Sequence, residues 1–191
     1  MIAGILLAAG RASRFGGAKL AAPLADAGGS VGVVACRNLV AALPHTLAVV
    51  RPGDAELAAA LQCAGARVIA CPDADRGMGT SLAFAVAAAR EAEGWVVALA
   101  DMPWVGPSTV GAVAAAVAGG AEVAAPFHRG SRGHQVGFGR ACLPALLALA
   151  GDEGARRIVA AWGTRVHRID VDDPGCLRDV DRPADLDGGT I

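Results

Sequence analysis

Five short apolar runs, Ile2 to Ala8, Thr46 to Val50, Arg67 to Ala70, Trp95 to Leu99 and Glu122 to Ala125, recur along the chain, with helix-length segments between them. A run of four to seven apolar residues without alternation suits a strand buried on both faces, which is the habit of parallel sheets. The intervening segments have helical period and polar start signals: Ser30 before Val31 to Leu43, Asp54 before Ala55 to Ala64, Thr80 before Ser81 to Ala92, and Ser108 before Thr109 to Val117. Strand and helix in alternation with short connections build right-handed crossovers, so the pattern predicts an α/β fold with a mostly parallel sheet and helices on both faces. The last third is less regular. Val136 to Gly139 and Val166 to Val171 read as strands, Arg140 to Leu149 and Gly154 to Ala161 as helices, and a mixed sheet edge is expected there.

A chain of 191 residues supports one sizeable core, and no linker or repeat divides it, so residues 1–191 are expected to form a single domain. Apolar residues make up 54% of the chain, much of it alanine, and no run reaches the length of large apolar residues that a spanning helix needs. The N-terminus has no basic region before its apolar run, so a soluble, cytoplasmic protein is expected, with no membrane partner. With a formal net charge of -1, no Tyr and 4% aromatics, the chain lacks the charge and stacking surface that nucleic acid requires. The five cysteines are widely spread, with no Cys-x-x-Cys pair, and read as reduced buried residues rather than metal ligands.

In open α/β sheets ligands gather outside the carboxyl ends of the strands, which directs attention to the loop that leaves the first strand. From Leu7 it reads Leu-Ala-Ala-Gly-Arg-Ala-Ser-Arg-Phe-Gly-Gly-Ala-Lys, ending at Lys19. Gly10, Gly16 and Gly17 let backbone approach an anion, while Ser13, Arg14 and Lys19 bring a hydroxyl and two cations to one turn. That combination suits a triphosphate. Two common phosphate motifs fail on spacing: G-x-G-x-x-G is absent, and Lys19 is followed by Leu20 where a P-loop has Ser or Thr.

Two further segments should meet this loop. The run Trp95 to Leu99 leads to Asp101, and Pro103 then turns the chain out of the sheet, so a carboxylate stands at a strand's carboxyl end. A hard oxygen ligand facing a triphosphate is what a Mg²⁺ site requires. Arg76 to Leu82 opens a helix after another strand, which sets Gly77 and the Thr80 and Ser81 hydroxyls at the same edge, as walls for a base or as ordinary helix caps.

The loop pattern L-A-A-G-x-x-S-R-x-G-x-x-K resembles the signature of nucleotidyltransferases that activate sugars, polyols and molybdopterin. Together with G-M-G-T-S-L, A-L-A-D-M-P, R-G-H-x-V-G-F, G-D-E-G-A-R and D-V-D-R-P-A-D-L, in that order, it is similar over nearly the whole chain to the molybdenum cofactor cytidylyltransferases of the MobA-like group. The resemblance implies a Rossmann-like three-layer fold in which Leu7, Ala8, Ala9 and Gly10 border the base and Ser13, Arg14 and Lys19 hold the triphosphate. It further implies Arg14, Lys19 and Asp101 as catalytic residues and Asp179, with Asp181 in reserve, as partner of Asp101 on Mg²⁺. Related guanylyltransferases usually read L-A-G-G, so Ala9 favours CTP. His134 and Asp152 would fall on the acceptor side, although Gln135 stands where the family usually has Pro.

The activity so implied is transfer of CMP from CTP to the terminal phosphate of molybdopterin, with transient contact to a molybdenum hydroxylase or its chaperone. Three alternatives stay open: the same chemistry with GTP or another acceptor, a NAD(P)H-dependent oxidoreductase of the nicotine-blue type, and a non-catalytic carrier of the cofactor. The missing G-x-G-x-x-G opposes the second, and Lys19 with Asp101 the third.

Overall fold

The computed structural model describes residues 1–10, 15, 18–24 and 27–187. In chain order the elements are β1 (Ile2–Leu7), β2 (Pro23–Leu24), β3 (Gly29–Ser30), α1 (Val31–Ala42), β4 (Thr46–Val50), α2 (Ala55–Cys63), β5 (Arg67–Ala70) and α3 (Met78–Ala88). They continue with β6 (Gly94–Leu99), α4 (Pro107–Ala118), β7 (Val123–His128), β8 (Ser131–Arg132), β9 (Val136–Gly139), α5 (Leu143–Leu147), α6 (Arg156–Trp162) and β10 (His167–Asp170).

The main sheet has the order β10-β7-β9-β6-β1-β4-β5, with β8 paired to β7. β1 runs parallel to β4 and β6, β4 to β5, and β7 to β10, while β9 is antiparallel to both of its neighbours. Six strands therefore point one way and their carboxyl ends share one edge. Side chains alternate across β1: Ala3, Ile5 and Leu7 pack with Leu82 and Val86 of α3, Leu146 of α5 and Val159 of α6. Leu6 and Ala8 pack instead with Cys36 and Leu39 of α1, Leu61 of α2 and Val113 of α4. The result is a three-layer α/β/α arrangement, as the alternation implied.

Three details differ from the sequence-based expectation, each for a local reason. The antiparallel strand β9 lies inside the sheet, between β6 and β7, the two-residue β8 pairs antiparallel with the end of β7, and the edge strand β10 is parallel. β7 turns sharply at Arg129 and Gly130, both at positive φ (47° and 85°), and so short a return leaves room only for antiparallel pairing. α3 begins at Met78 after Gly77, and α4 at Pro107 after Gly106, so Thr80 and Ser108 lie inside first turns rather than before them. Pro107 has its φ preset for that first position. Arg140 to Cys142 form a 3-10 turn and α5 stops at Leu147, short of Leu149. No helix among the described residues is long and apolar enough to cross a membrane.

Candidate active site

The carboxyl ends of β1, β4, β5 and β6 open on a cleft of about 650 Å³, lined at its floor by Leu7, Ala9, Gly10 and Leu99. Tight joins set that edge: Ala8 N–H donates to the Val49 carbonyl at 2.9 Å and Ala100 N–H to the Leu7 carbonyl at 3.1 Å. Ala8 itself turns into the opposite core, so its contribution to the cleft is backbone.

One end of the cleft is charged. Lys19 opens a short 3-10 turn, Lys19–Ala21, that Leu20 anchors against the core beside α1. Its Nζ donates to Asp101 Oδ2 at 2.7 Å and stands 3.6 Å from Asp181 Oδ1. The Lys19 and Asp101 side chains are only 13% and 23% exposed, and Asp101 Oδ1 is buried with no hydrogen-bond partner among the described residues.

The chain's last described segment returns to this point. Val180, fully buried, donates its N–H to the Asp101 carbonyl at 2.9 Å, and this brings its neighbours Asp179 and Asp181 alongside. One carboxylate oxygen from each of Asp101, Asp179 and Asp181 lies within 4.8 Å of the others. The return is fastened from both sides. Asp173 accepts from Gly106 N–H at 2.9 Å and from the Thr109 hydroxyl at 2.5 Å, and Arg178 stacks 3.7 Å from the Trp104 ring centre. Asp185 accepts from the Asp181 and Arg182 N–H groups at 2.8 and 2.7 Å, which holds its carboxyl below the ordinary carboxylate range. Three converging carboxylates with one orphaned buried oxygen fit a hard divalent cation.

The opposite wall comes from the start of α3. Gly77 adopts φ +117°, and a Cβ there would fall 2.3 Å from Asp152 Oδ1 and 2.4 Å from the Gly151 carbonyl carbon. Gly79 N–H donates to the Gly151 carbonyl at 2.7 Å, and the Thr80 hydroxyl accepts from Gly151 N–H at 3.3 Å. Thr80 thus ties α3 to the loop before α6, whereas Gly77, Ser81 and Asp152 line the cleft. His134 is exposed and its N–H donates to the Cys176 carbonyl, and Gln135 is buried with its Nε2 3.4 Å from Met102 Sδ. Neither lines the cleft. Ser13, Arg14, Gly16 and Gly17 lie outside the described residues.

Arg51 lines the cleft too and escapes a motif-based reading. The signal was present: Arg51 directly follows the apolar run of β4, as Asp101 follows that of β6.

A family model described as the MobA-like NTP transferase domain matches residues 4–168. The chain belongs to this family. The MobA-like chain is 31% identical to Purine catabolism protein PucB of Bacillus subtilis (strain 168), over 96% of this chain and 93% of that protein. Rv0371c of Mycobacterium tuberculosis H37Rv, a solved structure, superposes with a TM-score of 0.82 at 29% identity, covering 98% of this chain and 95% of that one. A manganese complex of Rv0371c superposes with a TM-score of 0.78 at 26% identity, covering 98% and 96% of the two chains. The family makes this MobA-like protein a nucleotidyltransferase, with the fold and kinship that its loop pattern implied.

Proposed function

We propose that the protein transfers CMP from CTP to the terminal phosphate of a molybdopterin-type cofactor and releases pyrophosphate. The observation that carries this reading is the Lys19 ammonium held 2.7 Å from Asp101 at one end of the cleft, beside the Leu7 to Gly10 turn. An oxygen of the acceptor phosphate attacks the α-phosphorus of CTP, a new P–O bond forms, and the bond to the β-phosphate oxygen breaks. The nucleophile is already anionic, so no general base is needed, and the work left to the protein is positioning and charge stabilisation. Lys19 stabilises the charge that moves onto the leaving pyrophosphate, with Arg14 assigned the same task by the loop pattern. Asp101, Asp179 and Asp181 would hold a divalent ion, Mg²⁺ in this reading, which when bound neutralises phosphate oxygens. Ala9 lines the cleft where related guanylyltransferases usually have Gly, which supports a pyrimidine base. A relative named for purine catabolism supports a catabolic client for the product, and the proposed recipient is a molybdenum hydroxylase or its chaperone in the cytoplasm.

The test is pyrophosphate release by the purified protein with Mg²⁺, each of the four ribonucleoside triphosphates, and molybdopterin as acceptor. Release that depends on both CTP and molybdopterin is expected, with no acceptor-free NAD(P)H oxidation. Equal turnover of GTP, or release indifferent to molybdopterin, would sink the proposal.

A further inference from the structure

The cleft has a second polar end that the transfer step leaves unused. Arg51, 23% exposed, donates from Nε to the Ala9 carbonyl at 2.8 Å, and its Nη2 stands 2.8 Å from Asp75 Oδ1. Those two contacts fix a planar fork against the cleft wall, and the rest of the fork has no hydrogen-bond partner among the described residues. Because β4, β1 and β6 are neighbours, Arg51 and Asp101 leave strands two spacings apart, about 10 Å. That separation matches the reach of a nucleotide from its phosphates to its base. With Lys19 and the carboxylates at the phosphate end, the guanidinium falls at the base end.

We propose that Arg51 reads the nucleobase, donating to the N3 and O2 acceptors of cytosine; the inference rests on the CTP reading above. A donor facing ring position 3 accepts cytosine, whose N3 is an acceptor, and opposes uracil, whose N3 carries a proton. Discrimination by mismatched polar groups in a partly dry site is steep, because the wrong base leaves both donors facing each other. Asp75 and the Ala9 carbonyl hold the fork in plane, so Arg51 also ties base recognition to the turn that carries the rest of the nucleotide loop.

The experiment compares wild type with Arg51→Met and Arg51→Lys in binding and turnover of CTP and UTP, with pyrophosphate binding and thermal midpoint measured alongside. Arg51→Lys keeps the charge but not the fork, so it reports on recognition if the methionine variant folds poorly. The expected result is a fall of about tenfold or more in CTP preference over UTP in both variants, with pyrophosphate affinity unchanged within about twofold. An unchanged preference overturns the inference while leaving nucleotidyl transfer intact. Equal weakening of CTP, UTP and pyrophosphate overturns it as well, because Arg51 would then be a phosphate ligand or a brace. A wild-type protein that turns over no CTP defeats the functional reading itself.

Discussion

Replacing Lys19 by Ala separates the structural contact of this residue from its proposed part in catalysis. In the folded protein its ammonium is 2.7 Å from Asp101 Oδ2, with both side chains more than three-quarters buried. A hydrogen bond between charged groups in such a setting contributes about 2 kcal/mol, and for a chain of this size that corresponds to a fall in thermal midpoint of roughly 4–8 °C. The effect on turnover should be larger. Removing one well-placed donor from a developing anion typically costs about 10²- to 10³-fold in rate. The nucleotide-free variant should also gain more thermal stability from Mn²⁺ than wild type does, since a cation is removed from three converging carboxylates. Scanning calorimetry with and without Mn²⁺, and pyrophosphate release under saturating CTP, measure these quantities. A variant that loses several degrees of thermal midpoint yet retains full turnover would refute the reasoning and make Lys19 a structural residue.

Gly77→Ala should destabilise the protein by about 2 kcal/mol or more, because it forces a side chain into positive φ and against Asp152 and Gly151; a urea midpoint within error of wild type would contradict that packing. Asp185→Ala should weaken Mn²⁺ binding by loosening the turn that presents Asp181, and calorimetric titration would read it. The same variant should lose part of its acid sensitivity: a carboxyl held below its ordinary range stabilises the fold above the unfolded pKa, and that contribution disappears as pH falls through the folded value. Thermal midpoints from pH 6 to pH 3 should therefore flatten relative to wild type. Burial pushes the Cys36 thiol up to about 11 and raises Cys142 and Cys176, whereas Cys63 is exposed, so a maleimide should label one of the five cysteines quickly and the others only on unfolding. Rapid labelling at two or more sites would oppose this.

The strands at Thr46 to Val50, Arg67 to Ala70 and Val136 to Gly139 were legible to the residue: β4 and β9 are buried throughout and read as apolar runs, and the half-exposed edge strand β5 still has Val68 and Ile69 at its centre. Helix starts were less so. Gly77 and Pro107 set them through backbone conformation, which competes with the polar cap signals at Thr80 and Ser108. Asp101 was readable because its strand and Pro103 flank it in sequence, and Lys19 because its loop carries a spaced pattern. Nothing local distinguishes Asp179 and Asp181 from an acidic surface turn. They become a cluster with Asp101 only because Val180 is buried beside it and Asp173, Arg178 and Asp185 pin the returning segment. Arg51 likewise looks like one more surface arginine until β4 sets it beside Ala9 and Asp75. The sequence by itself determined the alternating fold and pointed to Lys19 and Asp101, each marked by its own stretch of chain. The meeting of the three carboxylates and the place of Arg51 on the cleft were decided by the tertiary structure, because they join residues from separate strands and from a distant segment that only the closed sheet brings within a few ångströms.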